Sequence, residues 1–158
     1  MIKEALRRIE VTKKENLGYL DLKGLELQEI PKELLDVSWI GALSLSENNI
    51  SDISLLSKMP NLHKLALTGN KIKDISTLET LPKLRFIFLA NNLITDIAVL
   101  QSQERLKKLV IHSNKLCVLP DLSHFPLMAY LDVSDNPLEC STLEDMQTML
   151  PLLKIYKC

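Results

Sequence analysis

The chain has 158 residues and a formal net charge of −1, with charged side chains at 25%. That length is one domain's worth, and a charge so near zero gives no electrostatic case for nucleic acid. No apolar run reaches the roughly 18 residues a membrane helix needs, so no membrane span is expected.

Residues 1–16 come first. Ile2, Leu6 and Ile9 share one helical face, with Lys3, Glu4, Arg7 and Arg8 on the other. This pattern predicts a short helix acting as a lid on whatever follows. The stretch is charged from its third residue and lacks the apolar core of a signal peptide. A cytoplasmic location is therefore expected, with secretion only if a leader has been removed.

From Leu17 a phrase repeats. It places apolar residues at the first, fourth and sixth positions, and from the second unit on it ends with Asn at the ninth. Units start at Leu17, Ile40, Leu62, Leu84, Leu106 and Met128, and Asn48, Asn70, Asn92, Asn114 and Asn136 recur every 22 residues. A fixed period of this length predicts a stacked solenoid. The apolar alternation predicts one short strand per unit, and the stacked strands form a parallel sheet. The Asp52–Ser54 and Asp74–Ser76 stretches favour local turns, because Asp and Ser bond nearby backbone, and predict short helical or 3₁₀ segments on the far side. The Asn side chains are expected inside as a structural ladder, since an unpaired buried amide costs about 1–3 kcal/mol. The repeats run over 17–140. Residues 141–158 read as a cap helix opened by Ser141-Thr142-Leu143-Glu144, then a terminal strand from a partial unit at Leu150, Leu153 and Ile155. In that register Cys158 takes the ninth position and is expected to be a sixth rung.

The phrase L-x-x-L-x-L-x-x-N resembles the leucine-rich repeat superfamily in its 22-residue form. The Leu62–Lys83 unit (LHKLALTGNKIKDISTLETLPK) is similar to repeats of internalins and of phosphatase regulators. The first unit departs, with Leu25 in the Asn slot and Ile30-Pro31 after it, and is closer to the opening repeats of Roco-like proteins. The resemblance implies an α/β fold: a curved right-handed superhelix with a parallel concave sheet and short 3₁₀ segments on the convex side. It implies much less about function, because such repeats serve many partners.

No constellation for catalysis assembles. His63, His112 and His124 occupy three different repeat slots, and no nucleophile elbow, phosphate loop or H-E-x-x-H is present. The chain is thus not expected to be an enzyme, to hold a metal or to carry a cofactor. Cys117 and Cys140 fall at the twelfth and thirteenth positions of adjacent units. That brings them near each other, but without a secretory signal both are expected to stay thiols.

The unrepeated positions are the candidates for function. Third, fifth and seventh positions of each strand point away from the core. The chain has one Trp, three Tyr and three Phe, and Tyr19, Phe86, Phe88, Tyr130 and Tyr156 all map outward, the reverse of a core bias. Phe86 and Phe88 centre an apolar patch with Val110, flanked by Lys64 and Lys108, which are expected over the Phe86 ring. Tyr19, His112, Tyr130 and Asp132 lie further out. An apolar centre with a polar rim suits a protein partner, and the face is too flat for a small-molecule pocket. The expectation is a monomeric, non-enzymatic scaffold or interaction module that binds another protein on this face. The alternatives are the sensing domain of a larger Roco-like protein, an inhibitor or immunity-type protein, and an internalin-like surface adhesin. Two further expectations concern packing: Gln103, in a slot otherwise apolar, marks a looser convex loop, and Trp39 joins the convex-side core.

Overall fold

The computed structural model describes residues 1–158. Helix α1 (Ile2–Lys14) precedes seven three-residue strands: β1 (Tyr19–Asp21), β2 (Ala42–Ser44), β3 (Lys64–Ala66), β4 (Phe86–Phe88), β5 (Lys108–Val110), β6 (Tyr130–Asp132) and β7 (Ile155–Lys157). A second helix, α2 (Leu143–Met149), lies before β7. The strands form one parallel sheet in chain order. Like positions sit side by side, so Leu20, Leu43, Leu65, Ile87, Leu109 and Leu131 form one buried row. They belong to a single core of 41 residues that runs the length of the stack. Parallel sheets are usually covered on both faces; this one is covered on one, and its other face is open.

Behind the sheet the second, third and fourth units each make an Asx turn. The carboxylates of Asp52, Asp74 and Asp96 accept from the backbone N–H two residues on, each at 2.8 Å. The 3₁₀ segments Ser54–Lys58, Ser76–Thr80 and Ala98–Ser102 start there. The Ser54 and Ser76 amides hold the Asp52 and Asp74 carboxyls below the usual carboxylate range.

The asparagines staple unit to unit. Asn92 Oδ1 accepts from Ile72 N–H at 3.0 Å, while its Nδ2 donates to Leu67 and Leu89 carbonyls at 3.0 Å each. Asn70 and Asn114 repeat the pattern one unit either side. Asn48 bonds the first unit and Asn136 the fifth in the same way. To aim the amide inward, the preceding eighth position turns left-handed in every unit: Gly24, Glu47, Gly69, Asn91, Ser113 and Asp135 have φ between 54° and 69°. Only two of the six are glycine, so four accept a conformation that costs an L-residue about 1–2 kcal/mol. Its repetition at one slot marks it as part of the fold.

Several expectations change. Helix α1 buries Ala5, Ile9 and Thr12, while Ile2 stays 49% exposed, so its packed face is rotated from the Ile2–Leu6–Ile9 stripe. Trp39 is 40% exposed rather than core, with its indole N–H donating to Leu17 O at 3.1 Å. Gln103 does not loosen its loop: it is buried, and its Nε2 donates to Leu78 O at 2.7 Å. Helix α2 is capped by Thr142, not Ser141; Asp145 N–H donates to the Thr142 hydroxyl, and Asp145 accepts from Thr142 N–H.

The largest correction is at the end of the chain. β7 pairs Tyr130 with Ile155 and Leu131 with Tyr156. Helix α2 takes up three more residues than the loops of earlier units, so the last strand starts three positions late. Leu153, not Leu150, holds the first position, and Cys158 falls at the sixth. Cys158 is therefore no rung of the asparagine ladder. It is bonded to Cys140, 18 positions earlier, with Cα atoms 5.7 Å apart, while Cys117 is a free, exposed thiol. By the same shift Tyr156 turns inward against the core, and Ile155 and Lys157 replace Leu152 and Lys154 on the open face.

Candidate functional site

The open face is built by alternation. Each strand hides its middle residue and turns the other two outward. Register places Phe86 between Lys64 and Lys108, and Phe88 between Ala66 and Val110. Both phenylalanines and Val110 are half-buried by these neighbours.

The lysines choose a different ring from the one expected. Lys64 Nζ lies 6.0 Å and Lys108 Nζ 5.6 Å from the centroid of Phe88, not Phe86. Their stems run diagonally along the pleat to the ring two positions on, within reach of a long side chain. Lys108 Nζ is also 4.0 Å from the Tyr130 ring centroid, and Lys157 Nζ is 5.8 Å from the same centroid. The result is an alternating row across the sheet: Lys64, Phe88, Lys108, Tyr130, Lys157. The Tyr130 hydroxyl and then the Asp132 carboxylate hold the Lys157 ammonium above its usual range.

The outer candidates separate from this centre. Asp132 is 5% exposed, its carboxylate taken by the Ser134 hydroxyl at 2.6 Å and by Lys157 at 3.6 Å. It is spent within the protein and offers little to a partner, a correction to its expected role. His112 is half-buried, with Nδ1 3.0 Å from Ser113 Oγ. Tyr19 stands apart on β1, 60% exposed. Between it and the aromatic centre, the small side chains Ala42, Ser44 and Ala66 leave a hollow of about 340 Å³ walled by Tyr19 and Lys64. The short residues on β2 and β3 were the sequence signal for it.

A second row was missed from sequence. His63, Arg85 and Lys107 immediately precede β3, β4 and β5 and are exposed. Arg85 N–H donates to His63 O and Lys107 N–H to Arg85 O, both at 2.9 Å, so the three line one rim of the sheet. The chain's ion pairs lie elsewhere: Arg7 and Arg8 on Glu4, Lys13–Asp36, Lys23–Glu47, His124–Asp121 and Lys157–Asp132. Lys64, Arg85, Lys107 and Lys108 have no carboxylate partner. The signal was the second position of each unit, which reads Gly18, Gly41, His63, Arg85, Lys107 and Ala129.

No group of three or more His, Cys, Asp or Glu side chains is placed to hold a metal ion, and no helix is long and apolar enough to cross a membrane.

Comparison with known proteins adds a family resemblance. The pattern for a family described as leucine-rich repeats in two copies matches residues 42–80 and, overlapping, 60–102. Comparison of the sequence with curated proteins gives no match. Among solved structures, a leucine-rich repeat protein of Leptospira interrogans is similar over 93% of this chain and 38% of its own, with 27% identity and a TM-score of 0.80. An internalin of Listeria monocytogenes matches over 82% of this chain and 38% of its own, at 22% identity and a TM-score of 0.73. A plant peptide hormone receptor, solved in complex with RGF2, matches over 88% of this chain and 24% of its own, at 20% identity and a TM-score of 0.72. The chain thus spans well under half the length of each of these proteins.

Proposed function

The chain belongs to the leucine-rich repeat superfamily, and we propose that it works as a non-catalytic interaction module whose open, concave face takes a protein partner. One observation carries the reading: two phenylalanines and a valine stand side by side, half-exposed, at the middle of a sheet whose other face is sealed. A half-exposed aromatic centre is the usual site of dominant binding energy. The similar plant receptor was solved with RGF2 bound, in keeping with such a role. The module is proposed to act as a monomer.

The test is affinity measured with and without the centre. Phe86→Ala and Phe88→Ala should each weaken a crosslinked and identified partner by about 2 kcal/mol, while the melting temperature stays nearly unchanged. A partner held equally well by the double variant would overturn the reading.

A second reading concerns location and follows from the Cys140–Cys158 bridge. Disulfides persist in oxidising compartments, so the bridge favours a surface or secreted role of the adhesin kind over the cytoplasmic location expected from the charged N-terminus. Thiol counting on protein from its native compartment separates the two. One free thiol fits the oxidised, exported form, and three fit the cytoplasmic one.

A further inference from the structure

We propose that the partner segment seated on the open face is acidic: a short extended stretch of a protein that carries carboxylates on both sides of an apolar side chain. This rests on the reading of the open face as the binding face and adds the chemistry of its occupant.

The argument is charge balance. Toward the ends of the sheet two lysines are paired, Lys23 with Glu47 at 2.9 Å and Lys157 with Asp132 at 3.6 Å. In the centre Lys64 and Lys108 lie over Phe88, Arg85 and Lys107 stand on the adjoining rim, and none of the four makes an ion pair. Lys64 and Lys108 lean over the Phe88 ring, a weak partner that a carboxylate can replace. An apolar side chain resting on Phe88 brings neighbouring carboxylates to Lys64 and Lys108 on the face and to Arg85 and Lys107 along the rim. Such pairing across an interface sets specificity and association rate.

The dimensions favour peptide over nucleic acid. The unpaired cations occupy β3 to β5, two inter-strand spacings or roughly 10 Å. That is the length of about three extended residues, and short for a basic groove that tracks a phosphate backbone over many nucleotides. The net charge of −1 points the same way.

The experiment selects a random 12-residue displayed peptide library on the full chain, then measures the winning peptides by fluorescence anisotropy. Enriched peptides should hold an aromatic or aliphatic residue flanked by Asp or Glu. Arg85→Glu with Lys107→Glu should weaken them about tenfold or more, and Arg85→Gln with Lys107→Gln by less, since rim charges act through the field they set up. These side chains are exposed, and unchanged thermal unfolding would verify that both variants fold. Enrichment of neutral or basic peptides, no enrichment, or affinity indifferent to charge reversal overturns the inference. So does tighter binding of an oligothymidine of the same length. Peptides that bind Phe86→Ala/Phe88→Ala unchanged overturn the open-face reading itself, a separate outcome from charge indifference.

Discussion

The centre of the sheet and its two ends are made from the same repeat and finished differently. In β3 to β5 the interior is regular: Asn70, Asn92 and Asn114 are buried and bond alike. The outward side chains there carry charge with no internal partner. Toward the ends the interior is irregular, with a helix over β1, a half-buried Asn136 and a disulfide at β7, and Lys23 and Lys157 are paired with Glu47 and Asp132. Ends of a stack lack a neighbour to complete their hydrogen bonds and must be closed locally. The centre is held by its neighbours, which leaves its outer face free for another molecule.

The comparison is broken most sharply through the ladder. Asn92→Ala removes four hydrogen bonds and leaves the buried Ile72 amide with no partner, while the Leu67, Leu89 and Ala90 carbonyls each keep another donor. A loss of about 4 kcal/mol is expected in urea unfolding, from about 1–3 kcal/mol for that orphaned amide and about 0.5–1.5 kcal/mol for each of the other bonds. Asn136→Ala, half-buried, should lose about half as much because water reaches the groups it abandons. Equal losses at the two sites would undo the contrast between centre and end.

Next in size is the C-terminal bridge. Cys158→Ser should lower stability by about 3 kcal/mol, from a closed loop near 20 residues. The loss should be confined to α2 and β7, seen as faster amide exchange there with β3 to β5 unchanged. A uniform rise in exchange would mean that the end and the centre unfold as one.

A smaller effect has the opposite sign. Gln103 occupies the slot of Met59, Leu81 and Phe125, and its buried Oε1 has no hydrogen-bond partner. The Leu78 carbonyl that it contacts also accepts from Leu81 N–H at 3.1 Å. Gln103→Leu therefore orphans nothing and should stabilise by about 1 kcal/mol, read as a shift in the urea midpoint. A destabilised variant would show that the amide is better satisfied than the structure indicates.

The smallest effect is on pH. Hydrogen bonds from Arg7 and then Arg8 lower the Glu4 carboxyl from 4.5 to about 2. A folded pKa below the unfolded one contributes stability that is full above pH 4.5 and is lost as pH falls toward 2. Helix α1 should fray across that window, seen in amide exchange of residues 2–14. Glu4→Gln should remove that part of the pH dependence.

How much of this was legible in the residues depended on whether a unit had neighbours on both sides. The ladder, the strand register from β1 to β6 and the outward place of Phe86 and Phe88 follow from period alone, because stacked units repeat their geometry. Period failed at the last unit, where α2 displaced β7 by three residues and carried Tyr156 inward and Cys158 to Cys140. A helix of one length and a loop of another look alike to a register count. Gln103 was misjudged for a related reason. Its polarity suggested a loose loop, but a carbonyl of the neighbouring unit, 25 residues back, takes its amide.

The amino-acid sequence by itself determined the solenoid, since a 22-residue period can bury its leucines only by stacking unit on unit. It also decided which side chains leave the core, because a strand alternates. Only the tertiary structure decided which ring the lysines cover, that Asp132 is already spent, and that Arg85 and Lys107 stand unpaired on one rim. Those facts depend on distances between side chains in neighbouring units, which periodicity places side by side without saying where their ends meet.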